Sequence, residues 1–345
     1  MKVLLGMSGG TDSSVAAMML LQEGFEVIGV TFRFLDSTES TQNISDAKQL
    51  ADSLGIQHVV YDAVELFRTT VIDYFISEYF LGRTPVPCTI CNVELKWKLL
   101  HDLAIEMGCD KIATGHYAQI EQYKNTFFIK KGIDEEKDQS FFLWGLSQTI
   151  LSKMILPLGK YTKSEIRELA RRFGYQHIAN KKDSVGLCFC KGDYRDFLKK
   201  ECGENCVEKG NFIDEAGRFL GKHEGYPFYT VGQRRGLIFL NRAVYVKEIR
   251  KDSNQVVLAP QSSLFKDSFF IEKSNFFSCE KLNSAKNLIV KIRYRKQATP
   301  CKLTFSDEKQ DKIKVQLLEP LESISAGQAA AFYDEDLLLG GGIIL

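Results

Sequence analysis

Val3-Leu4-Leu5 runs directly into Gly6-Met7-Ser8-Gly9-Gly10-Thr11-Asp12-Ser13-Ser14, and the reading of this stretch decides the fold. The aliphatic residues form a strand, a loop of mostly small residues follows, and Ser13 and Ser14 open a helix. Such a strand, loop and helix start make an anion site: glycines let the backbone approach a phosphate, while free N–H groups and the helix dipole face it. The loop lacks the Gly-Lys-Ser/Thr ending of an ordinary P-loop. Working outward, the alternation continues. Val27 to Phe32 precedes a helix near Ile44 to Leu54, His58 to Tyr61 precedes Val64 to Tyr79, and Val93 to Met107 precedes a strand at Lys111 to Thr114. Ile44, Ala47, Ala51 and Leu54 share one helical face, as a helix covering a sheet requires. The expected class is α/β with a doubly wound parallel sheet.

The pattern weakens after about Phe197. Gly203, Gly210, Gly217, Gly221 and Gly225 punctuate short segments there, and Tyr226 to Tyr229 and Val244 to Ile249 read as strands of a small, mostly β module. Farther on, Leu288 to Tyr294, Cys301 to Phe305, Ile313 to Leu318 and Ala329 to Tyr333 are short and turn-bounded, the pattern of a small barrel or sandwich. Three domains are therefore expected: 1–198, 199–262 and 263–345.

A chain of 345 residues is too long for one ordinary core, and its 44% hydrophobic and 26% charged residues suit a globular protein. No apolar run approaches the roughly 20 residues that span a bilayer. The beginning of the chain turns polar by Ser8 without the features of a signal peptide, so the expected location is cytoplasmic. Nine cysteines in that compartment raise metal or redox chemistry rather than a disulfide framework. The formal charge of +1 excludes a uniform basic coat, yet two stretches stand out: Lys160 to Lys182 has seven Lys or Arg against two Glu, and Lys286 to Lys302 has six and no acid. Each either neutralises phosphates or is a solvated face.

Two cysteines lie in suggestive runs. Cys91 heads Cys91-Asn92-Val93-Glu94-Leu95-Lys96-Trp97, just before an expected helix whose dipole, with Lys96, would favour the thiolate. Cys188 lies in Asp183-Ser184-Val185-Gly186-Leu187-Cys188-Phe189, a polar turn. Taken singly, either cysteine reads better as a small buried apolar residue than as a reactive thiol.

Ser8, Gly9, Asp12 and Ser13 match the pyrophosphate-binding loop of the ATP pyrophosphatases, which cleave ATP between the α and β phosphates and adenylate a carbonyl oxygen. With both cysteine runs, the whole chain resembles the tRNA-specific 2-thiouridylases. The resemblance includes Gly82-Arg83-Thr84-Pro85, Ala113-Thr114-Gly115-His116-Tyr117-Ala118, Lys137-Asp138-Gln139-Ser140, Tyr229-Thr230-Val231-Gly232-Gln233-Arg234-Arg235-Gly236-Leu237, Arg293-Tyr294-Arg295, Gly327-Gln328-Ala329-Ala330 and Leu339-Gly340-Gly341-Gly342-Ile343. It implies an N-terminal PP-loop domain of the adenine nucleotide α-hydrolase type, a central mostly-β domain that contacts tRNA and a C-terminal β-barrel. It also implies ATP with Mg2+, the nucleotide resting on Gly6, Met7, Ser8, Gly9, Gly10, Thr11, Asp12 and Ser13 and against Phe32 and Gly115. Cys188 would receive a persulfide from a sulfur relay protein or cysteine desulfurase, with Cys91 as partner nucleophile and a Cys91–Cys188 disulfide as one end state. Val86, Pro87, Cys88, His116, Lys137, Asp138, Gln139, Arg293, Tyr294 and Gln328 would meet the tRNA.

One position departs from the family, which commonly has Asp where this chain has Cys88. That change leaves three readings open. Cys88 replaces the acid as a weak acid or resolving thiol; or Cys88, Cys91 and Cys188 ligate an iron–sulfur cluster; or the pairs Cys88/Cys91 and Cys188/Cys190 hold a structural zinc, which would consume both reactive cysteines. Two other functions compete: an amidotransferase-like ligase that adenylates a small molecule, and a silent tRNA-binding protein that kept the fold.

Overall fold

The computed structural model describes residues 1–181, 186–203, 206–295, 298–305 and 312–345. Its first 160 or so residues contain β1 (Lys2–Gly6), β2 (Glu26–Arg33), β3 (Gln57–Asp62), β4 (Lys111–Thr114), the hairpin β5 (Ala118–Tyr123) and β6 (Thr126–Lys131), and β7 (Met154–Ile155). Five of these form a parallel sheet in the order β3-β2-β1-β4-β7. The chain steps outward from β1 through β2 and β3, then returns to β4 on the other side. This places the topological switch point between β1 and β4, where doubly wound sheets bind ligands beyond the carboxyl ends of their strands.

Alternate residues of a strand face opposite sides, and β1 uses both. Val3 and Leu5 are buried against Val15, Ala16 and Leu20 of α1 (Thr11–Gln22) and against Ala47, Leu50 and Ala51 of α2 (Thr38–Leu54). Leu4 is buried on the other side, in one cluster with Trp97 and Leu100 from the helix Trp97–Glu106. Ser37 caps α2, its Oγ accepting from the Ser40 N–H at 3.2 Å. The helix covering the sheet is thus the expected one, begun about six residues earlier than its apolar face alone suggests.

The middle of the chain folds β8 (Gly210–Ile213), β9 (Phe219–His223), β10 (Tyr245–Arg250) and β11 (Gln255–Ala259) into a four-stranded sheet of order β10-β11-β8-β9. Tyr226–Phe228 is a 3₁₀ turn rather than the expected strand. Pro227 accounts for this, since it has no N–H to give to a ladder.

The last part closes a six-stranded barrel from β12 (Phe265–Phe276), β13 (Leu288–Lys291), β14 (Thr299–Phe305), β15 (Ile313–Glu322), β16 (Ala329–Asp334) and β17 (Leu337–Ile344), sealed by β12 pairing with β17. The strand expected to run through Tyr294 stops at Lys291, and Arg293, Tyr294 and Arg295 occupy the turn beyond it. The hairpin β5–β6, which the strand pattern does not announce, joins this barrel: Leu337 and Leu338 of β17 pair with Lys130 and Ile129. Gly341 permits the junction, because a Cβ there would lie 2.5 Å from Trp144 Cγ. Asn275 Nδ2 donates to the Trp144 carbonyl at 2.8 Å across the same seam. Among the described residues, no helix is long and apolar enough to cross a membrane.

Candidate active site

The loop after β1 is held open by its own side chains. Ser13 Oγ accepts from the Ser8 N–H at 3.1 Å, and Ser14 Oγ donates to the Gly10 carbonyl at 2.8 Å. Gly9 has φ +70°, and a Cβ on it would fall 2.3 Å from the Asn43 carbonyl oxygen, so only glycine fits. Beyond β4, Gly115 meets the same loop so closely that a Cβ would lie 2.8 Å from the Ser13 nitrogen. The two ends of the switch-point crevice are thus in contact through backbone. This is the arrangement that lets a polyphosphate approach N–H groups.

Two lysines that motif reading does not single out flank the loop. Lys163, largely buried, donates to Asp12 Oδ1 at 2.6 Å, and the Tyr117 hydroxyl donates to the same oxygen at 2.8 Å. Lys181 donates to the Gly9 carbonyl at 2.6 Å and is ion-paired with Asp46. Both lie in the basic stretch Lys160 to Lys182, and Lys163 opens the helix Lys163–Arg172, which carries a Thr162/Glu165 capping box. The charge of that stretch therefore serves the crevice in part, supplying the cations that the loop itself lacks. Asp12 suits a magnesium ion, which commonly takes one or two carboxylates together with substrate phosphates.

From the end of β2 a row of aromatic rings leads away from the crevice. Phe32 stacks on Phe34 at 5.7 Å between centroids, Phe34 meets Phe67 at 5.1 Å, and Phe67 meets Phe189 edge-on at 5.9 Å. Phe189 follows Cys188 in the chain. Cys91 and Phe189 pack on one cluster built from Phe67, Val71, Ile72 and Leu95. One apolar floor thus links the strand end beside the loop to both cysteine runs.

Cys91 does not precede a helix as expected. The helical course begins at Pro87, and Cys91 opens a π-helical stretch, Cys91–Lys96, that continues into Trp97–Glu106. Its first turn contains Cys88, so the helix dipole acts there. The expected low thiolate pKa is likewise corrected. Burial pushes the Cys91 thiol up, with Lys96 opposing it, and burial raises Cys88 in the same way. Cys188 has solvent access at its own surface, yet the protein around it pushes its thiol up to about 11, burial first and the neighbouring Cys91 and Cys88 next. The three cysteines therefore share one field, and Lys96 pulls all three down. The part of the Cys188 run at 183–185 lies outside the described residues.

A raised thiol pKa fixes the sign of a pH dependence. The reactive thiolate is scarce at neutral pH and grows about tenfold per pH unit until the pKa is reached. Alkylation of Cys188 by iodoacetamide, followed by peptide mass spectrometry, is expected to accelerate in this way from pH 7 to 10. Lys96→Gln should slow it at every pH in that range. A plateau near pH 7 would contradict the assignment.

Among the described residues, no group of three or more His, Cys, Asp or Glu could hold a metal ion. The pairs Cys88/Cys91 and Cys188/Cys190 as arranged here thus do not fit a zinc.

The remaining expected residues divide into two kinds. Val86, Arg293, Tyr294 and Gln328 line a cavity of about 460 Å³ together with Thr230, Val231, Gly232 and Gln233, so all three parts of the chain contribute. Lys137 lines a second cavity of about 920 Å³, which Lys131, Lys291, Arg295 and Tyr294 also line. His116, Asp138 and Pro87 are buried, Asp138 at the edge of the second cavity. His116 packs on Trp97, bonds to Thr114 Oγ1 at 2.6 Å and has its pKa driven by burial down to about 3, so its ring is neutral. Asp138 accepts from the Gly132 and Ser140 N–H groups, each at 3.1 Å, and Gln139 Oε1 accepts from the Tyr117 N–H at 3.0 Å. These residues brace the loop that presents Lys137.

The fold and the loop define an α/β enzyme domain of the nucleotide-using HUP class: the model described as tRNA methyl transferase HUP domain matches residues 1–192. A tRNA methyl transferase PRC-barrel domain follows at 195–260 and an aminomethyltransferase β-barrel domain at 266–344. The tRNA-specific 2-thiouridylase MnmA 1 of Bacteroides fragilis is 53% identical, covering 99% of this chain and 97% of its own. MnmA 2 of Phocaeicola vulgatus is 51% identical over 100% and 98%. The chain belongs to the tRNA-specific 2-thiouridylase family. Among solved structures, the U34-tRNA thiolase NcsA of Methanococcus maripaludis is similar at 20% identity and TM-score 0.37, over 58% of this chain and 64% of that one.

Proposed function

We propose that this chain replaces the C2 oxygen of the wobble uridine of tRNA with sulfur, using ATP to activate the base. The observation that carries the reading is the aromatic row from Phe32 to Phe189, which joins the switch-point loop to the run holding Cys188 over the floor that seats Cys91. A ligase for a small molecule needs no such link, and a silent binding protein needs neither the open loop nor the thiols.

The loop's N–H groups, Lys163 and Lys181 receive the phosphates; Asp12 would hold a magnesium ion, which would offset phosphate charge. Uracil O2 attacks the α phosphorus and pyrophosphate leaves. This step comes first because a uracil carbonyl is a poor electrophile, whereas the adenylated base carries AMP as a leaving group. Cys188 enters loaded as a persulfide taken from a donor protein's persulfide. Its terminal sulfur attacks C2 and AMP departs with the former O2. Cys91 thiolate then attacks Cys188 Sγ, the sulfur stays on C2, and a Cys91–Cys188 disulfide forms that an external dithiol reduces.

Cleavage of ATP to AMP and pyrophosphate should depend on added tRNA, and thin-layer analysis of labelled ATP checks it; cleavage that tRNA does not change points to the small-molecule ligase. Cys88→Ala, with bound iron measured alongside, separates the thiol readings. Retained thiolation without iron supports the persulfide course, and joint loss of iron and activity supports cluster ligation.

A further inference from the structure

The most exposed large apolar side chain among the described residues is neither in the crevice nor in a cavity. Phe239 is 92% exposed, at the tip of the loop between the 3₁₀ turn and β10 in the central domain. The segment from Gly232 to Arg242 contains Arg234, Arg235 and Arg242, all exposed, and no acidic residue. A solvent-facing phenylalanine costs solubility and contributes nothing to packing, so its placement among three cations calls for a partner that offers both an apolar face and negative charge.

The base of this loop is built firmly. The Gly232 N–H donates to the Val246 carbonyl at 2.8 Å, the Val246 N–H returns to the Gln233 carbonyl at 3.0 Å, and Gln233 Oε1 accepts from the Thr230 N–H at 3.1 Å. Gly232 and Gln233 also line the cavity that Arg293, Tyr294 and Gln328 line. Tyr294 in turn borders the second cavity, with Lys137, Lys291 and Arg295. The two cavities thus share Tyr294, and the base of the arginine loop borders the first of them. The carboxylate that influences Arg242, Glu215, is already engaged by Lys247 at 2.6 Å.

We propose that the Gly232–Arg242 loop is a stacking arm for RNA, in which Phe239 lies on an unpaired base of the bound tRNA while Arg234, Arg235 and Arg242 neutralise the phosphates beside it. Aromatic side chains take splayed-out bases because every base has a π face, and arginines beside them supply the salt-dependent part of the affinity. The inference rests on tRNA being the substrate and adds the element that grips it outside the reacting centre.

Phe239→Trp supplies a reporter, since the two native tryptophans, Trp97 and Trp144, are buried. Its fluorescence should be quenched by unmodified tRNA and not by duplex RNA of the same length. Phe239→Ala should weaken tRNA binding about tenfold at fixed salt with the salt slope unchanged. Arg234→Gln with Arg235→Gln should lower that slope by about one to two. Melting temperature should not move in any of these variants, because the substituted side chains face solvent. Wild-type affinity in Phe239→Ala, an indole in Phe239→Trp that tRNA leaves unquenched, or a dimer in sedimentation that Phe239→Ala dissolves would each overturn the arm. If wild-type protein binds no tRNA, it is the substrate reading that fails instead.

Discussion

Replacing Cys188 with alanine is expected to abolish 2-thiouridine formation, a loss of at least about 1,000-fold, because the change removes the atom that carries the sulfur. Exposed at its own surface, Cys188 contributes little to the core, so the melting temperature should stay within a degree or two of wild type. The informative part is what survives. Cleavage of ATP in the presence of tRNA should persist for a first turnover, since the phosphate loop and its lysines are untouched. Cys91→Ala should differ, retaining some product when a dithiol is present, because an external thiol can stand in for the attack on Cys188 Sγ. Equal and complete loss in both variants, with ATP cleavage lost as well, would mean that the cysteines are structural.

The second large effect falls on Asp12. Asp12→Asn keeps the size and the acceptor oxygen that Lys163 and Tyr117 engage but removes the charge. ATP cleavage is expected to fall about 100-fold, the scale of one preorganised electrostatic contact, and the melting temperature should fall by a few degrees because the largely buried Lys163 loses its charged partner. Lys163→Gln should cost a similar amount, and the double variant should cost clearly less than the product of the two, since both residues act on one phosphate and ion site. Additive losses would show that the pair is two independent contacts.

Much of this was legible in the sequence, for a physical reason. Val3 to Leu5 followed by the small-residue loop is local information: strand, turn and helix start sit within a dozen residues, and the side chains that shape the loop are its own. The same holds for α2 and for the barrel strands. What was not legible is long-range. Lys163 and Lys181 reach the loop from more than 150 residues away, and only folding tells them from their basic neighbours. The hairpin β5–β6 finds its partner about 200 residues on, in β17, so its own sequence announces no barrel. The π-helical start at Cys91 shifts the helix entry back to Pro87, and burial then overrides the thiolate that a dipole argument favours. His116, which only the resemblance sets against the tRNA and which alone reads as a hydrogen-bonded structural histidine, is buried beside Trp97, where a neutral ring bonded to Thr114 tolerates a dry site.

Nucleoside mass spectrometry of unmodified tRNA, incubated anaerobically with iron-stripped protein, Mg-ATP and a persulfide donor, tests the central claim most directly. The account predicts 2-thiouridine that depends on ATP and on Cys188. Product that appears only after iron and sulfide are restored would replace the persulfide course with a cluster, and no 2-thiouridine under either condition would contradict the account.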